Sequence, residues 1–189
     1  MEWEMGDFKI RLWRSGDEET MVKHANNRNV WRNLRDRFPH PYTILDARNW
    51  IEIASTEPMN GSNWAVEVGE EAAGGIGLTL GTDVHRLTAE IGYWLGEKYW
   101  NKGIITRAVD KITNYGLNNL GLCRIYTGIF EWNPASIRVL EKNGYQREGI
   151  ERKSIFKDGH VIDAVIYGKV RNSDIVKGEK LDKKSRFSA

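Results

Sequence analysis

The chain has 189 residues, 40% hydrophobic and 11% aromatic, which suits one domain with a sizeable core and excludes a disordered chain. Its 28 basic and 26 acidic residues leave a formal net charge of +2, so no global basic field points to nucleic acid. The single cysteine, Cys123, excludes an internal disulfide and a cysteine-based zinc cluster, and no apolar run approaches the ~18 residues of a membrane helix.

The first residues, Met1-Glu-Trp-Glu-Met5, are acidic and lack the apolar run of a signal peptide, so a cytoplasmic location is expected. Phe8-Lys-Ile-Arg-Leu-Trp13 alternates apolar and polar, as a half-buried strand does. Ser15, Gly16 and Asp17 supply a turn and a helix cap, and Met21, Val22 and Ala25 follow at helical spacing. A second short helix is predicted over 29–35. Pro39 and Pro41 then keep Phe38-Pro-His-Pro-Tyr42 extended. A helix over 46–56 carries Ala47, Trp50, Ile51 and Ala54 on one face, and 57–63 reads as a loop.

Strands are predicted over 64–68, 76–80 and 88–95, with turns at 72–75 and 81–85. The main helix is predicted over 104–120, its buried stripe being Ile105, Ala108, Val109, Ile112 and Leu120. A strand over 123–130, a helix over 134–143 closed by Gly144, and strands over 145–150 and 161–170 complete the pattern. The domain is therefore expected over 1–171, and the lysine-rich stretch 172–189 as a disordered tail. This order predicts an α/β fold, a single mixed sheet with helices on both faces.

The chemistry points to residues 90–145. A glycine turn, Trp100-Asn-Lys-Gly-Ile-Ile-Thr106, stands between a strand and a helix N-terminus. Backbone N–H groups face outward there and the helix dipole favours an anion such as a diphosphate. Gly103 allows close backbone approach and Lys102 adds charge at the rim, although one glycine also fits an ordinary connecting turn. Gly74-Gly-Ile-Gly77 leads into a strand rather than a helix, so the dinucleotide fingerprint fails.

His24, His40, His85 and His160 have no metal-ligand spacing, so no metal is expected. Cys123 reads as a buried structural thiol. Glu90 lies inside a strand, a place a glutamate occupies when it faces solvent, pairs with a cation or does chemistry. Alternation puts Glu90 and Gly92 on one face, Ile91 and Tyr93 on the other. Asn133 and Pro134 are a helix cap and an N1 residue in their own right, and Ser136 stands in the first turn that follows.

Taken together, Ala89-Glu-Ile-Gly-Tyr-Trp-Leu-Gly96, Tyr99-Trp-Asn-Lys-Gly103, Asn133-Pro-Ala-Ser-Ile-Arg-Val-Leu-Glu-Lys-Asn-Gly-Tyr145 and Gly149-Ile-Glu-Arg-Lys153 resemble the GNAT superfamily of acyl-CoA N-acyltransferases, specifically its RimJ/RimL-like group, with further similarity in Phe38-Pro-His-Pro-Tyr-Thr43. The resemblance covers roughly residues 10–170. It implies a splayed, mostly antiparallel sheet that holds acetyl-CoA where two strands part. It is also compatible with a homodimer, while the balanced charge and the lack of a long apolar run are what leave no nucleic-acid or membrane partner expected.

Carried over position by position, Trp94 and Leu95 would bond pantetheine through their backbones. Trp100, Asn101, Lys102, Gly103, Ile104, Ile105 and Thr106 would form the diphosphate turn. Asn101 stands where the group often has glycine, and it tolerates left-handed geometry; Ile105 stands where glycine or alanine is common. Asn133 would touch pantetheine or substrate. Many members place a tyrosine four residues beyond the position of Ser136, where this chain has Leu140, so Ser136 is the candidate general acid and Glu90 the candidate base. His40, Tyr42 and Tyr93 are the candidate acceptor residues.

The implied reaction is direct attack of an amine on the acetyl thioester. An α-amine, with pKa ~7.7–8.0, suits a weak base better than a lysine amine at ~10.4. A protein N-terminal α-amine is thus the expected acceptor, with a small-molecule amine (polyamine, amino acid, antibiotic) or a non-catalytic acyl-CoA sensor as the alternatives.

Overall fold

The computed structural model describes residues 2–56 and 61–171. The strands are β1 (Glu2–Glu4), β2 (Lys9–Leu12), β3 (Gly61–Val68), β4 (Glu71–Leu80), β5 (Thr88–Leu95), β6 (Arg124–Phe130), β7 (Gln146–Lys157) and β8 (His160–Val170). The helices are α1 (Glu18–Ala25), α2 (Arg28–Trp31), α3 (Ile44–Thr56), α4 (Ile104–Asn118) and α5 (Pro134–Lys142), with single 3₁₀ turns at Asp83–His85 and Glu97–Tyr99. The strands form one sheet in the order β1-β2-β3-β4-β5-β6-β8-β7. Among the described residues neighbours run antiparallel except β5 and β6, which are parallel.

Each face buries its own apolar layer. On one, Ile91 and Leu95 of β5 and Ile125 and Ile129 of β6 pack under Ile104, Ala108, Val109 and Ile112 of α4 and Leu140 of α5. Each such aliphatic side chain contributes about 1.5–3 kcal/mol by leaving water. On the other face Trp13, Met21, Ala25, Tyr42, Ala47 and Ile51 pack around α1 and α3. The strand alternation read from the sequence is therefore used twice, once for each layer.

Several boundaries differ from the sequence reading. Glu2–Glu4 adds a strand, paired with β2. The second helix is a single turn, Arg28–Trp31, capped by the Asn27 side chain. β3 begins at Gly61, and the predicted loop's remaining residues, 57–60, lie outside the described residues, as does the predicted tail. The α4 stripe uses Ile104 and Leu117 where Ile105 and Leu120 were expected; Ile105 is half-buried and Leu120 lies beyond the helix end.

The predicted turn at 72–75 is strand. A Cβ on Gly74 would stand 2.5 Å from the Trp94 carbonyl oxygen, and one on Gly75 would stand 2.7 Å from the Trp94 indole nitrogen. The glycines leave room for the bulky neighbour on β5 instead of breaking β4.

Candidate active site

β5 and β6 pair at Thr88 with Arg124, Ala89 with Ile125, and Glu90 with Tyr126, and there the ladder ends. Beyond it β5 stays on β4 and β6 stays on β8, so the two strands part. A wedge opens whose edges carry backbone N–H and C=O groups that the ladder no longer uses. The turn before α4 and the N-terminus of α5 follow these two strands.

The turn has the shape its residues predict. Asn101 adopts φ 61° and Gly103 φ 73°, both left-handed, one on either side of Lys102. Gly103 is the N-cap of α4 and offers no side-chain cap to the helix. The first four amides, of residues 103–106, have no acceptor within the helix, and fifteen aligned peptide units add positive potential at this end. Asn101, Lys102 and Gly103 are exposed. This donor set fits a diphosphate. Lys102 also lies 5.3 Å from the Tyr99 ring centroid, which keeps its charge near the turn. The Trp100 indole N–H donates to the Leu95 carbonyl at 2.7 Å, so one of the two backbone positions expected to serve pantetheine already has a partner on its oxygen. Trp94 turns its side chain to the other face, against Phe38.

At α5 the Asn133 carboxamide accepts from the Ser136 N–H at 3.1 Å, the capping role expected of it. Ser136 is buried, and its Oγ lies 2.7 Å from the Tyr93 hydroxyl. Tyr93 was expected on the acceptor side. It shares its face of β5 with Ile91 and Leu95 and reaches across the wedge to α5. Burial pushes its phenol well above the usual tyrosine range.

Glu90 projects from the opposite face and is ion-paired with Arg35, which lies between α2 and α3. Gly92, next on that face, is exposed, and a Cβ built there meets nothing within 4 Å. The strand is thus bare between Glu90 and Trp94. Arg35, the partner of Glu90, also lines a cavity of about 330 Å³, together with Asp36, Gly128, Phe130, Glu151 and Lys157, among others. Lys157 is 2% exposed. Its ammonium sits 2.7 Å from an Asp36 carboxylate oxygen and 3.8 Å from the Trp31 ring centroid. Arg28 and Asp158 make a second tie between the same two segments at 2.9 Å.

Of the remaining acceptor candidates, His40 is exposed and stacks with centroids 5.5 Å apart on Trp31, the ring that Lys157 also faces; it is not among the residues that line the cavity. Tyr42 is 4% exposed, packed between α1 and α3 with its hydroxyl against the Met21 sulfur, so it does not line the cavity. Cys123 is half-buried rather than buried. Arg35, Asp36 and Lys157 were missed. Nothing local marks them, since each acquires its meaning from a partner far along the chain. Among the described residues no cluster of His, Cys, Asp and Glu could hold a metal, and no helix is long and apolar enough to cross a membrane.

The family model described as Acetyltransferase (GNAT) domain matches residues 7–146. An uncharacterised N-acetyltransferase of Bacillus subtilis (strain 168), YoaA, is 35% identical over 117 residues, 61% of this chain and 66% of that protein, so the match spans about two thirds of that relative's length. The spermidine N(1)-acetyltransferase of Escherichia coli (strain K12) is 27% identical over 157 residues, 83% of this chain and 82% of that protein. The crystal structure of an acetyltransferase (GNAT family) from Bacillus anthracis superposes with a TM-score of 0.76 at 27% identity, covering 90% of this chain and 98% of that one.

Proposed function

We propose that this chain, which belongs to the GNAT acetyltransferase family, moves the acetyl group of acetyl-CoA to the α-amine at the N-terminus of a protein or peptide. The observation that carries this choice of acceptor is the charge balance of the cleft. Glu90 is matched by Arg35 and Asp36 by Lys157, which leaves Glu151 as the single further carboxylate on the cavity wall, fewer than a chain of several ammonium groups would use. A polyamine, with several ammonium groups, calls for carboxylates without resident cations. A peptide N-terminus brings one amine and a largely neutral backbone. Phe156, 70% exposed at the cavity wall, adds an apolar surface for its first side chains.

In this reading the amides of residues 103–106 hold the diphosphate, and the wedge holds the pantetheine arm so that its thioester lies between Ser136 on one face and Glu90 on the other. The acceptor enters over Gly92. Glu90, directly or through water, takes the proton the amine loses. The neutral amine nitrogen bonds to the acetyl carbon and sheds its second proton to solvent, and the carbon–sulfur bond breaks, its electron pair going to sulfur. Backbone N–H groups freed at the wedge stabilise the oxyanion. Ser136 supplies the proton to sulfur. An α-amine at pKa ~7.7–8.0 is partly neutral at pH 7, which asks little of a base already paired with a guanidinium.

A second reading, a small-molecule amine, is favoured by the spermidine relative. Thiol release from acetyl-CoA with N-terminal peptides, the same peptides blocked at the α-amine, and spermidine separates the two. Turnover with free peptides alone supports the proposal; turnover with spermidine alone overturns it. Binding of acetyl-CoA with no turnover on any amine replaces it with a sensor.

A further inference from the structure

We propose that Tyr93 is a positioning residue for Ser136: its hydroxyl donates to the Ser136 oxygen and so leaves the serine's own proton free to face the leaving sulfur. The inference rests on Ser136 being the acid of the reaction above.

Three features lead to it. First, the contact is short and well placed. The two hydroxyl oxygens are 2.7 Å apart, and the tyrosine oxygen also lies 3.4 Å from the Ser136 carbonyl. The contact joins β5 to the first turn of α5, the two elements on either side of the wedge. Second, the serine main chain is already fixed, because its N–H bonds to the Asn133 side chain. The direction of the Ser136 O–H is the freedom that remains, and a hydroxyl rotates to suit its neighbours. Third, each hydroxyl carries one proton. If Ser136 donated to Tyr93, the serine would have no proton left for the thioester, and the phenol's would turn to the Ser136 carbonyl 3.4 Å away.

Burial raises the Tyr93 phenol and keeps it protonated throughout the working range, so it is always available as the donor. One turn further along α5, Leu140 is fully buried and apolar and offers no substitute. A hydroxyl that accepts one hydrogen bond also donates a stronger second one. Tyr93 therefore orients and polarises Ser136 without losing its own proton. The proton moves from Ser136 to sulfur, and the proton given up by the amine returns to Ser136 through solvent. The balance closes with no other reactant.

The test is a double-mutant cycle read as kcat and as KM for acetyl-CoA. Ser136→Ala is expected to lower kcat about 100-fold, and Tyr93→Phe about tenfold, each with KM within about twofold of the parent. Phenylalanine keeps the ring and removes the oxygen, and thermal melting of each variant checks the fold. The decisive comparison is Tyr93→Phe made in the Ser136→Ala background. With no serine hydroxyl to orient, it is expected to cost less than about twofold more. A further loss of about tenfold there, or an unchanged kcat in the single Tyr93→Phe variant, overturns the positioning role while Ser136 stays the acid. An unchanged kcat in Ser136→Ala removes the acid and this inference with it.

Discussion

The two sides of the wedge are built from different materials. The cofactor side is made of backbone: a left-handed Asn101, a left-handed Gly103, the open amides at the start of α4 and the unused edge of β5. The acceptor side is made of side chains: Arg35 on Glu90, Lys157 on Asp36 and Trp31, His40 on Trp31. A backbone site needs particular residues within one short stretch, since a helix N-terminus is the same physical object wherever it occurs. A side-chain site needs partners brought together by the whole fold. Under the proposed function the first binds the part that all CoA thioesters share, and the second is free to vary with the acceptor.

Substitutions that touch one side alone break or sharpen this contrast. The largest effect is expected at Gly92. Gly92→Ile places a branched side chain in open space, on a strand that accepts it, on the path proposed for the acceptor. The value of kcat/KM for the amine should fall on the order of 100-fold, the scale of a misplaced reactant, while isothermal titration shows unchanged coenzyme A affinity. A parallel loss of coenzyme A binding would mean that the two sides are not separate.

Next comes Glu90→Gln. It should cost roughly tenfold at pH 7, where only a minor fraction of an α-amine is neutral. The deficit should shrink as pH rises past ~8, because the amine then loses its proton without help. A pH–rate profile measures it, and a deficit that stays constant with pH would remove Glu90 as base.

Gly103→Ala is the mirror image of the Gly92 variant. A Cβ at φ 73° meets no neighbour, so the whole cost is local strain of about 1–2 kcal/mol. The turn relieves that strain by leaving the shape that aims its amides. The coenzyme A dissociation constant should rise about fivefold, with the acceptor KM unchanged.

The smallest effect belongs to Lys157→Met. The methionine keeps the length of the buried stem, and Asp36 is exposed enough to regain water. Stability should change by less than about 1.5 kcal/mol in a denaturant melt. The acceptor KM should shift about twofold to threefold, through the loosened loop between α2 and α3, and coenzyme A binding should not move.

The same contrast explains what could be read from the chain. The turn at 100–106, the cap at Asn133 and the first-turn Ser136 were visible because each lies within a few positions of the element it serves. Lys157 and Asp36 are 121 residues apart and Arg35 and Glu90 55 apart, and no periodicity joins them. Tyr42, carried over as an acceptor residue with His40, fills the apolar space between α1 and α3 instead, a packing that no local pattern announces. The glycines of β4 misled for a related reason. Glycine usually interrupts a strand, and only the sheet order reveals that Trp94 next door requires them. Tyr93 was placed on the correct face by alternation, but its partner on α5 becomes visible only when the wedge is drawn.

A crystal structure of the chain soaked with coenzyme A tests the account most directly. Diphosphate oxygens are expected at about 2.7–3.2 Å from the amides of residues 103–106, and the thiol sulfur beside the Ser136 hydroxyl. A diphosphate bound away from this turn, or a sulfur on the far side of the wedge from Ser136, would contradict it.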